Sequence, residues 1–163
     1  SAMQEARTLE GAYDLSIGIF TTRLPGLNYD HILTERVQLY CSSEHSLCSA
    51  PARNVPEIIK THALVSAGPT KWGSPFKDFE LAHPTATTES MDATLQLVLS
   101  GSYIGVMPTH YAKIWESRGQ IKPVLPDRIF AEIEFFVIAK KQDAQNKVLK
   151  IFLQHLVLAH SKA

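Results

Sequence analysis

The stretch LVLSGSYIGVMP, residues 97–108, passes from the end of a helix into a short buried strand. The apolar residues that lead into it recur at the i, i+4, i+7 and i+8 positions of one helix face: Met91, Leu95, Val98 and Leu99. Ser90 precedes this helix as its predicted N-cap, and Gly101 follows it as the predicted terminator. Pro108 closes the apolar run that comes next. A helix followed at once by a buried strand predicts an α/β unit.

The same alternation extends in both directions along the chain. Strands are predicted at residues 13–20, 62–66, 85–88, 103–108, 121–125 and 131–139, with a further extended segment at residues 31–41. Helices are predicted at residues 4–11, from residue 54 to about 60, from residue 90 to about 100, and from residue 109 to about 117. Asn54 is the predicted cap of its helix, with Glu57 completing a capping box. This order predicts the α/β class with a largely parallel sheet.

The final helix is predicted to begin at a cap formed by Asn146 or Asp143. One of its faces carries a run of mostly apolar residues: Val148, Ile151, Phe152, His155, Leu156 and Ala159. Leu149, Leu153 and Leu158 widen this stripe. The helix is therefore predicted to be buried on more than a narrow side.

The composition describes a folded chain without net charge. Its 163 residues are 45% hydrophobic, enough to form a core, and 16 Lys and Arg balance 16 Asp and Glu. Because phosphate binding requires an excess of positive charge on one face, this segment alone is not expected to bind nucleic acid. No apolar run of membrane-spanning length and no secretory signal pattern occur, so we expect no membrane contact and a cytoplasmic location.

Residues suited to catalysis or metal binding form no recognisable pattern. The sequence has no Gly-x-Ser-x-Gly elbow and no glycine-rich phosphate loop, and its acidic residues near strands are not paired. The seven histidines show no i, i+4 pair that would hold zinc. We therefore predict no catalytic residue, no metal site, no cofactor and no enzymatic activity.

Cys41 and Cys48 are the two cysteines of the sequence. They are too few for a disulfide scaffold, and their spacing fits neither a zinc knuckle nor a Cys-x-x-Cys redox motif. Reduced thiols are expected. The two could form a redox-sensitive pair, but a buried and inert Cys41 is favoured.

Several segments together resemble the C-terminal effector-binding domain of LysR-type transcriptional regulators. Residues 13–18, YDLSIG, are similar to the family's Asp-Leu-Ala-Ile-Gly strand. Residues 37–47 resemble the segment that ends in its Asp-His-Pro-Leu turn, with Ser46 in place of the proline. Residues 97–108 resemble the family's Val-Ala-Ala-Gly-Leu-Gly-Ile-Ala-Leu-Leu-Pro, and this is the most specific of the matches.

The resemblance continues in residues 135–141 and 148–152, which are similar to the family's last strand and closing helix. It implies a two-lobed fold like that of type-2 periplasmic solute-binding proteins. Lobe one would comprise residues 13–41 and 129–163, and lobe two residues 42–126. A winged helix-turn-helix domain precedes this region in the family, and lobe one there opens with elements that have no counterpart before Asp14. We therefore expect an incomplete first lobe and a DNA-binding domain outside this sequence.

The function that the resemblance implies is that of an effector-sensing regulatory domain. A small anionic metabolite would bind between the lobes and change how the absent helix-turn-helix domain binds promoter DNA. The full-length protein would be a homo-oligomer. One alternative is a stand-alone solute-binding protein of the same fold, which would require a signal or lipoprotein sequence. A less favoured alternative is an enzyme on this fold, which would require a pair of titratable groups in the cleft.

Candidate effector-binding residues follow from where ligands lie in such folds, at the carboxyl ends of strands and beside helix N-termini. They are Thr21, Thr22, Ser66, Ala67, Gly68, Thr70, Thr88 and Ser90. Each offers a hydroxyl or a backbone amide able to hold a carboxylate. The alternative is that these residues serve only as caps and turn residues, for which hydroxyl side chains are also favoured.

Overall fold

The computed structural model describes residues 2–67 and 84–160 of the chain, and the statements below concern those residues. The chain divides into two compact units. Unit 1 comprises Ser1–Glu35 and Ile133–Ala163, and unit 2 comprises Arg36–Glu132.

The described residues form a mixed α/β structure, as the sequence predicts. Its helices are α1 (Ala2–Glu10), α2 (Val55–Ile59), α3 (Met91–Leu99), α4 (Thr109–Ser117) and α5 (Lys147–His160), with 3₁₀ turns at Ser46–Ser49 and Lys141–Gln145. Its strands are β1 (Leu15–Gly18), β2 (Leu27–Ser42), β3 (Leu64–Ala67), β4 (Pro84–Thr88), β5 (Ile104–Pro108), β6 (Ile121–Pro123) and β7 (Phe130–Lys140). β2 and β7 both pass from one unit into the other.

In unit 1, β1 pairs antiparallel with β7, from Leu15 opposite Ala139 to Gly18 opposite Phe136. Apolar side chains from the segments around these strands form a buried cluster: Phe20, Leu27, Phe136 and Ile138. α1 packs along β1 and ends before Gly11, whose φ of +83° explains why the helix stops there.

The strand pairing in unit 2 is mixed. β3 pairs in parallel with β4 and with β5, whereas β2 pairs antiparallel with β5 and β6. The prediction of a largely parallel sheet is therefore wrong for the pairs described. β2 enters from unit 1 and runs against its neighbours, and strand patterns reveal the existence of a strand but not its direction.

The core of unit 2 forms where α3 packs on β3 and β5. Its buried residues are Tyr40, Val65, Leu95, Val98, Met107, Ala112 and Ile121. Gly105 lies at the closest approach. A Cβ placed on it would lie 2.8 Å from Val98 Cγ2 and 3.0 Å from Val65 Cγ1. Only a residue without a side chain allows the helix to lie this close to β5.

Two of the predicted helix caps are confirmed and one is wrong. The Ser90 hydroxyl accepts a hydrogen bond of 3.2 Å from the Ala93 amide, and the side-chain Oδ1 of Asn146 accepts one of 3.0 Å from the Val148 amide. Asn54 caps nothing with its side chain. Its backbone is already in the helical region, at φ −92° and ψ −17°, so the side chain is not directed back to the first free amides.

The prediction for α5 is also wrong, because most of its predicted buried face is exposed. The exposed members are Val148, Ile151, Phe152, His155 and Ala159. Among the residues predicted to be buried, only Leu149, which is 7% exposed, and the half-buried Leu153 and Leu156 are shielded from solvent. Apolar residues surround so much of this helix that the pattern does not select one side. No helix among residues 2–67 and 84–160 is long and apolar enough to cross a membrane.

His45 begins the 3₁₀ turn Ser46–Ser49 from a buried position. Its Nδ1 accepts a hydrogen bond of 3.1 Å from the Leu47 amide, and its ring centroid lies 4.7 Å from that of His62. Burial lowers the pKa of His45, and the nearby His62 lowers it further. The folded chain therefore keeps His45 neutral at a pH at which the unfolded chain takes up a proton.

Gly105→Ala is expected to lower the free energy of unfolding by about 1–3 kcal/mol, because the added methyl group overpacks the contact with Val98. Urea unfolding followed by circular dichroism measures the loss. Val98→Ala makes room beside Gly105, so the double variant should lose less stability than the sum of the two single variants. Strictly additive losses would contradict the steric account.

His45→Asn is expected to reduce the loss of stability on acidification from about pH 8 to about pH 5. Because the folded pKa is depressed, the stability contributed by the neutral ring is complete above the unfolded pKa of about 6.5 and is lost as the pH falls below it. Asn retains an acceptor for the Leu47 amide but does not titrate. Urea unfolding at several pH values measures the slope.

The matched control is His155→Asn at an exposed position of α5, which replaces a histidine outside the contact between His45 and His62. If His45→Asn has the same pH dependence as the parent chain, burial of a neutral His45 does not contribute to it.

Candidate functional site

Thr21 and Thr22 lie on an exposed bend shortly after β1, as the sequence predicts for residues at the end of a strand. The Thr22 hydroxyl donates a hydrogen bond of 3.2 Å to Oε2 of Glu5, a residue of α1. This contact fixes where the Thr22 proton points. The Thr22 oxygen can therefore act only as a hydrogen-bond acceptor towards a ligand in solvent.

Glu5 is a buried carboxylate, 1% exposed, beneath this bend. Its other oxygen accepts a hydrogen bond of 2.6 Å from the Tyr29 hydroxyl, whose own oxygen accepts one of 2.8 Å from the Leu24 amide. Burial raises the pKa of Tyr29, and its hydrogen bond to Glu5 raises it further, so the phenol keeps its proton. Two hydroxyl donors thus compensate the removal of the carboxylate from water.

A second buried polar contact lies on the same face of α1. The Thr8 hydroxyl is 2.8 Å from the Ser16 hydroxyl of β1 and 2.8 Å from the Gln4 carbonyl oxygen. Thr8 and Ser16 are both buried. Above Tyr29, the exposed Arg23 guanidinium lies 5.2 Å from the ring centroid, which places a positive charge beside the bend.

In unit 2 the candidate residues of β3 and β4 come together at the ends of paired parallel strands. Ala67 lies opposite Thr88, and Ser66 lies opposite Thr87. Two further candidates, Gly68 and Thr70, lie outside the described residues. The carboxyl ends of β3 and β4 therefore meet at one edge, directly before α3.

Thr88 and Ser90 lie in the segment that leads from β4 into α3. The Thr88 and Thr94 hydroxyls are 2.7 Å apart, and each lies 3.2 Å from the Ser90 carbonyl oxygen. The hydroxyl protons of Thr88 and Thr94 are therefore engaged in hydrogen bonds within the protein and are not available to a ligand. The Ser90 hydroxyl accepts from the Ala93 amide, which leaves its own proton available to an outside acceptor.

Asp92, in the first turn of α3, accepts a hydrogen bond from the Tyr111 hydroxyl. Burial raises the pKa of Tyr111 to about 12, with the hydrogen bond to Asp92 as the next cause. The contact joins the start of α3 to α4.

The sequence did not indicate Glu5, Tyr29 or Thr94 as parts of these sites. Thr94 lies on the α3 face between the predicted apolar positions, so the helix period indicates its burial but not its hydroxyl partners. Glu5 carries no signal of burial, because an acidic residue on a short helix is normally solvated.

Metal clusters and cavities are the remaining features of the described residues. No group of three or more His, Cys, Asp and Glu side chains there is placed to hold a metal ion. A cavity of about 610 Å³ lies in unit 1 at the amino end of β1, away from Thr21 and Thr22. Its lining residues are Ala12, Tyr13, Asp14, Leu15, Asn146, Val148, Leu149 and Phe152.

Comparison with solved structures identifies the fold. The regulatory domain of CrgA, a LysR-type transcriptional regulator from Neisseria meningitidis, matches 95% of this chain and 79% of that chain with a TM-score of 0.72 at 17% identity. A structure of CrgA matches 94% of this chain and 54% of that chain with a TM-score of 0.71 at 19% identity. The type-2 periplasmic-binding-protein-like α/β fold expected from the sequence is thereby confirmed.

Comparison with curated proteins and with family models identifies the family. The HTH-type transcriptional activator BauR of Pseudomonas aeruginosa is 27% identical over 157 residues, which are 95% of this chain and 51% of BauR. The chain thus spans about half the length of this relative. The model of the LysR substrate binding domain matches residues 1–159. Because that match includes both units, the chain belongs to the LysR substrate binding domain family.

Proposed function

We propose that this chain is the effector-sensing regulatory domain of a LysR-type DNA-binding transcription factor. The observation that carries the proposal is the family match over residues 1–159, since effector binding is general for this family. The similarity to BauR, a transcriptional activator, agrees with it. An enzymatic role is not part of the proposal, because the relatives found are regulators.

In this proposal promoter DNA is bound by a helix-turn-helix domain outside this sequence, in a full-length homo-oligomer in the cytoplasm. The charge balance supports the assignment of DNA binding to a separate domain, because 16 basic and 16 acidic residues provide no excess of positive charge for binding phosphate. The effector acts by binding one arrangement of the regulatory domains more tightly than another.

The effector-binding residues in this proposal are those predicted from the sequence: Thr21, Thr22, Ser66, Ala67, Gly68, Thr70, Thr88 and Ser90. In unit 2 the support is the pairing of Ala67 with Thr88 at the strand ends that precede α3. The first amides of α3 and the Ser90 proton favour an anionic group there.

The bend in unit 1 has the opposite hydrogen-bonding character at Thr22. Its proton is directed to the buried Glu5, so the outward lone pairs suit an N–H or O–H group better than a carboxylate. The effector proposed here is therefore a small acid whose carboxylate binds at the start of α3.

Ser90→Asp is expected to weaken binding of a carboxylic acid effector about tenfold or more, because it places a second negative charge beside the carboxylate. Ser90→Asn is the matched control, since Asn and Asp both cap helices well but only Asp is charged. A thermal-shift screen of aliphatic and aromatic acids on the full-length protein first identifies a ligand. Calorimetric titration then compares the three proteins.

The outcomes separate the two parts of the proposal. If no acid stabilises the full-length protein and promoter binding does not respond to any of them, the sensing function is wrong. If an acid binds but Ser90→Asp and Ser90→Asn bind it equally well, the chain senses an effector whose carboxylate does not bind at the start of α3.

A further inference from the structure

Cys41 and Cys48 lie side by side in unit 2, with their Sγ atoms 3.3 Å apart. Cys41 is a buried residue near the end of β2, and Cys48 is a half-buried residue of the 3₁₀ turn Ser46–Ser49. Both are free thiols. The expectation of a buried Cys41 is confirmed, and the fold places beside it the cysteine with which the sequence left a redox-sensitive pair open.

The hydrogen bonds around the pair give the two thiols different roles. The Cys48 thiol donates to the Ser42 carbonyl oxygen at 3.3 Å. Because a thiol has one proton, the contact between the sulfurs is then a hydrogen bond donated by Cys41 to Cys48. Burial raises the pKa of Cys41, and this hydrogen bond raises it further. Cys41 therefore keeps its proton while its sulfur lies against Cys48.

The sulfur atoms of Cys41 and Cys48 need to move only a short distance to form a covalent bond. A disulfide has an S–S length of about 2.05 Å, so the two sulfurs need to approach by a little more than 1 Å. Cys41 is held in place by the pairing of β2 with β6, where it lies opposite Lys122. Cys48 belongs to a single turn of 3₁₀ helix, a structure with weaker hydrogen-bond geometry, so we expect Cys48 to be the partner that moves.

We propose that Cys41 and Cys48 form a reversible intrachain disulfide when a hydroperoxide oxidises Cys48. Cys48 is the nucleophile, because it is the more exposed thiol and because its thiolate would keep the hydrogen bond donated by Cys41. Cys41 is the resolving cysteine, since its sulfur is adjacent but shielded from solvent. This modification site does not depend on effector binding.

The reaction has two steps. The Cys48 thiolate attacks one oxygen of the hydroperoxide ROOH, the O–O bond breaks, and Cys48 becomes a sulfenic acid while the alcohol ROH leaves with the proton that Cys48 released. The Cys41 sulfur then attacks the Cys48 sulfur, the S–S bond forms, and the hydroxyl group leaves with the Cys41 proton as water. Two thiols are oxidised by two electrons in total, and one peroxide is reduced.

Hydrogen peroxide is the probe for the test, added to the native chain at low protein concentration. We expect both thiols to be lost together and the intact mass to fall by two hydrogen atoms. Peptide mapping without reductant should join residues 41 and 48 within one chain. Dithiothreitol should restore both thiols.

The two single variants are matched controls for each other, since the sequence has no other cysteine. Cys41→Ser should leave a sulfenic acid on Cys48 that dimedone traps. In Cys48→Ser, Cys41 should react with the peroxide about tenfold or more slowly than Cys48 does in Cys41→Ser, because a buried thiol that holds its proton is a poor nucleophile. In urea the two variants should react at similar rates, which shows that the difference arises from the fold.

Three results would overturn the proposal. Cys48 could gain oxygen atoms in the native chain without forming a disulfide. The disulfide could join two chains rather than residues of one chain. Cys41 in the Cys48→Ser variant could react as fast as Cys48 in the Cys41→Ser variant, which would show that the two thiols do not have different roles.

Discussion

The contact between α3 and β5 at Gly105 is the constraint on which unit 2 depends. Val98 and Val65 lie so near that a Cβ at position 105 would be within 3.0 Å of both. The close approach places α3 directly over β3 and β5, and β4 leads into it at Thr88. As a result, the first amides of α3 and the Ser90 hydroxyl lie beside the carboxyl ends of two parallel strands. The close packing at Gly105 thus contributes to the position of the candidate anion site.

Unit 1 is organised around a different kind of interaction, a carboxylate that has been removed from water. Glu5 is as buried as the apolar residues of the core, and the donors described for it are the hydroxyls of Tyr29 and Thr22. Leaving such a group without donors would cost several kcal/mol, so α1, the bend after β1 and the start of β2 are held in mutual register by these hydrogen bonds. Thr8 and Ser16 add a buried pair on the same helix face.

The parts of the fold that could be predicted are those determined by local physics. The α3 helix and β5 follow from the spacing of Met91, Leu95 and Val98, from the Ser90 cap and from the change of period after Gly101. Predictions failed where a local pattern permits several outcomes. Asn54 has the residue type of a cap but a helical backbone, and α5 is apolar over so much of its circumference that the side facing its unit could not be chosen.

The candidate residues show the same division more sharply, because a hydroxyl group does not reveal the charge of its ligand. Thr22 and Ser90 are both hydroxyl residues near strand ends, and in the sequence only the predicted N-cap position of Ser90 distinguishes them. Their hydrogen-bond partners distinguish them: the buried Glu5 accepts the hydrogen bond that Thr22 donates, whereas the exposed Ala93 amide donates one to the Ser90 hydroxyl. The same holds for Cys41 and Cys48. The Ser42 carbonyl oxygen accepts the hydrogen bond that Cys48 donates, which leaves Cys41 as the donor between the two sulfurs. The Ala93 amide lies in the first turn of the helix that Ser90 caps, so this partner follows from the local sequence, whereas Glu5 meets Thr22 only because α1 packs beside β1. Where the partner is distant in sequence, tertiary packing determines the chemistry that residue type leaves open.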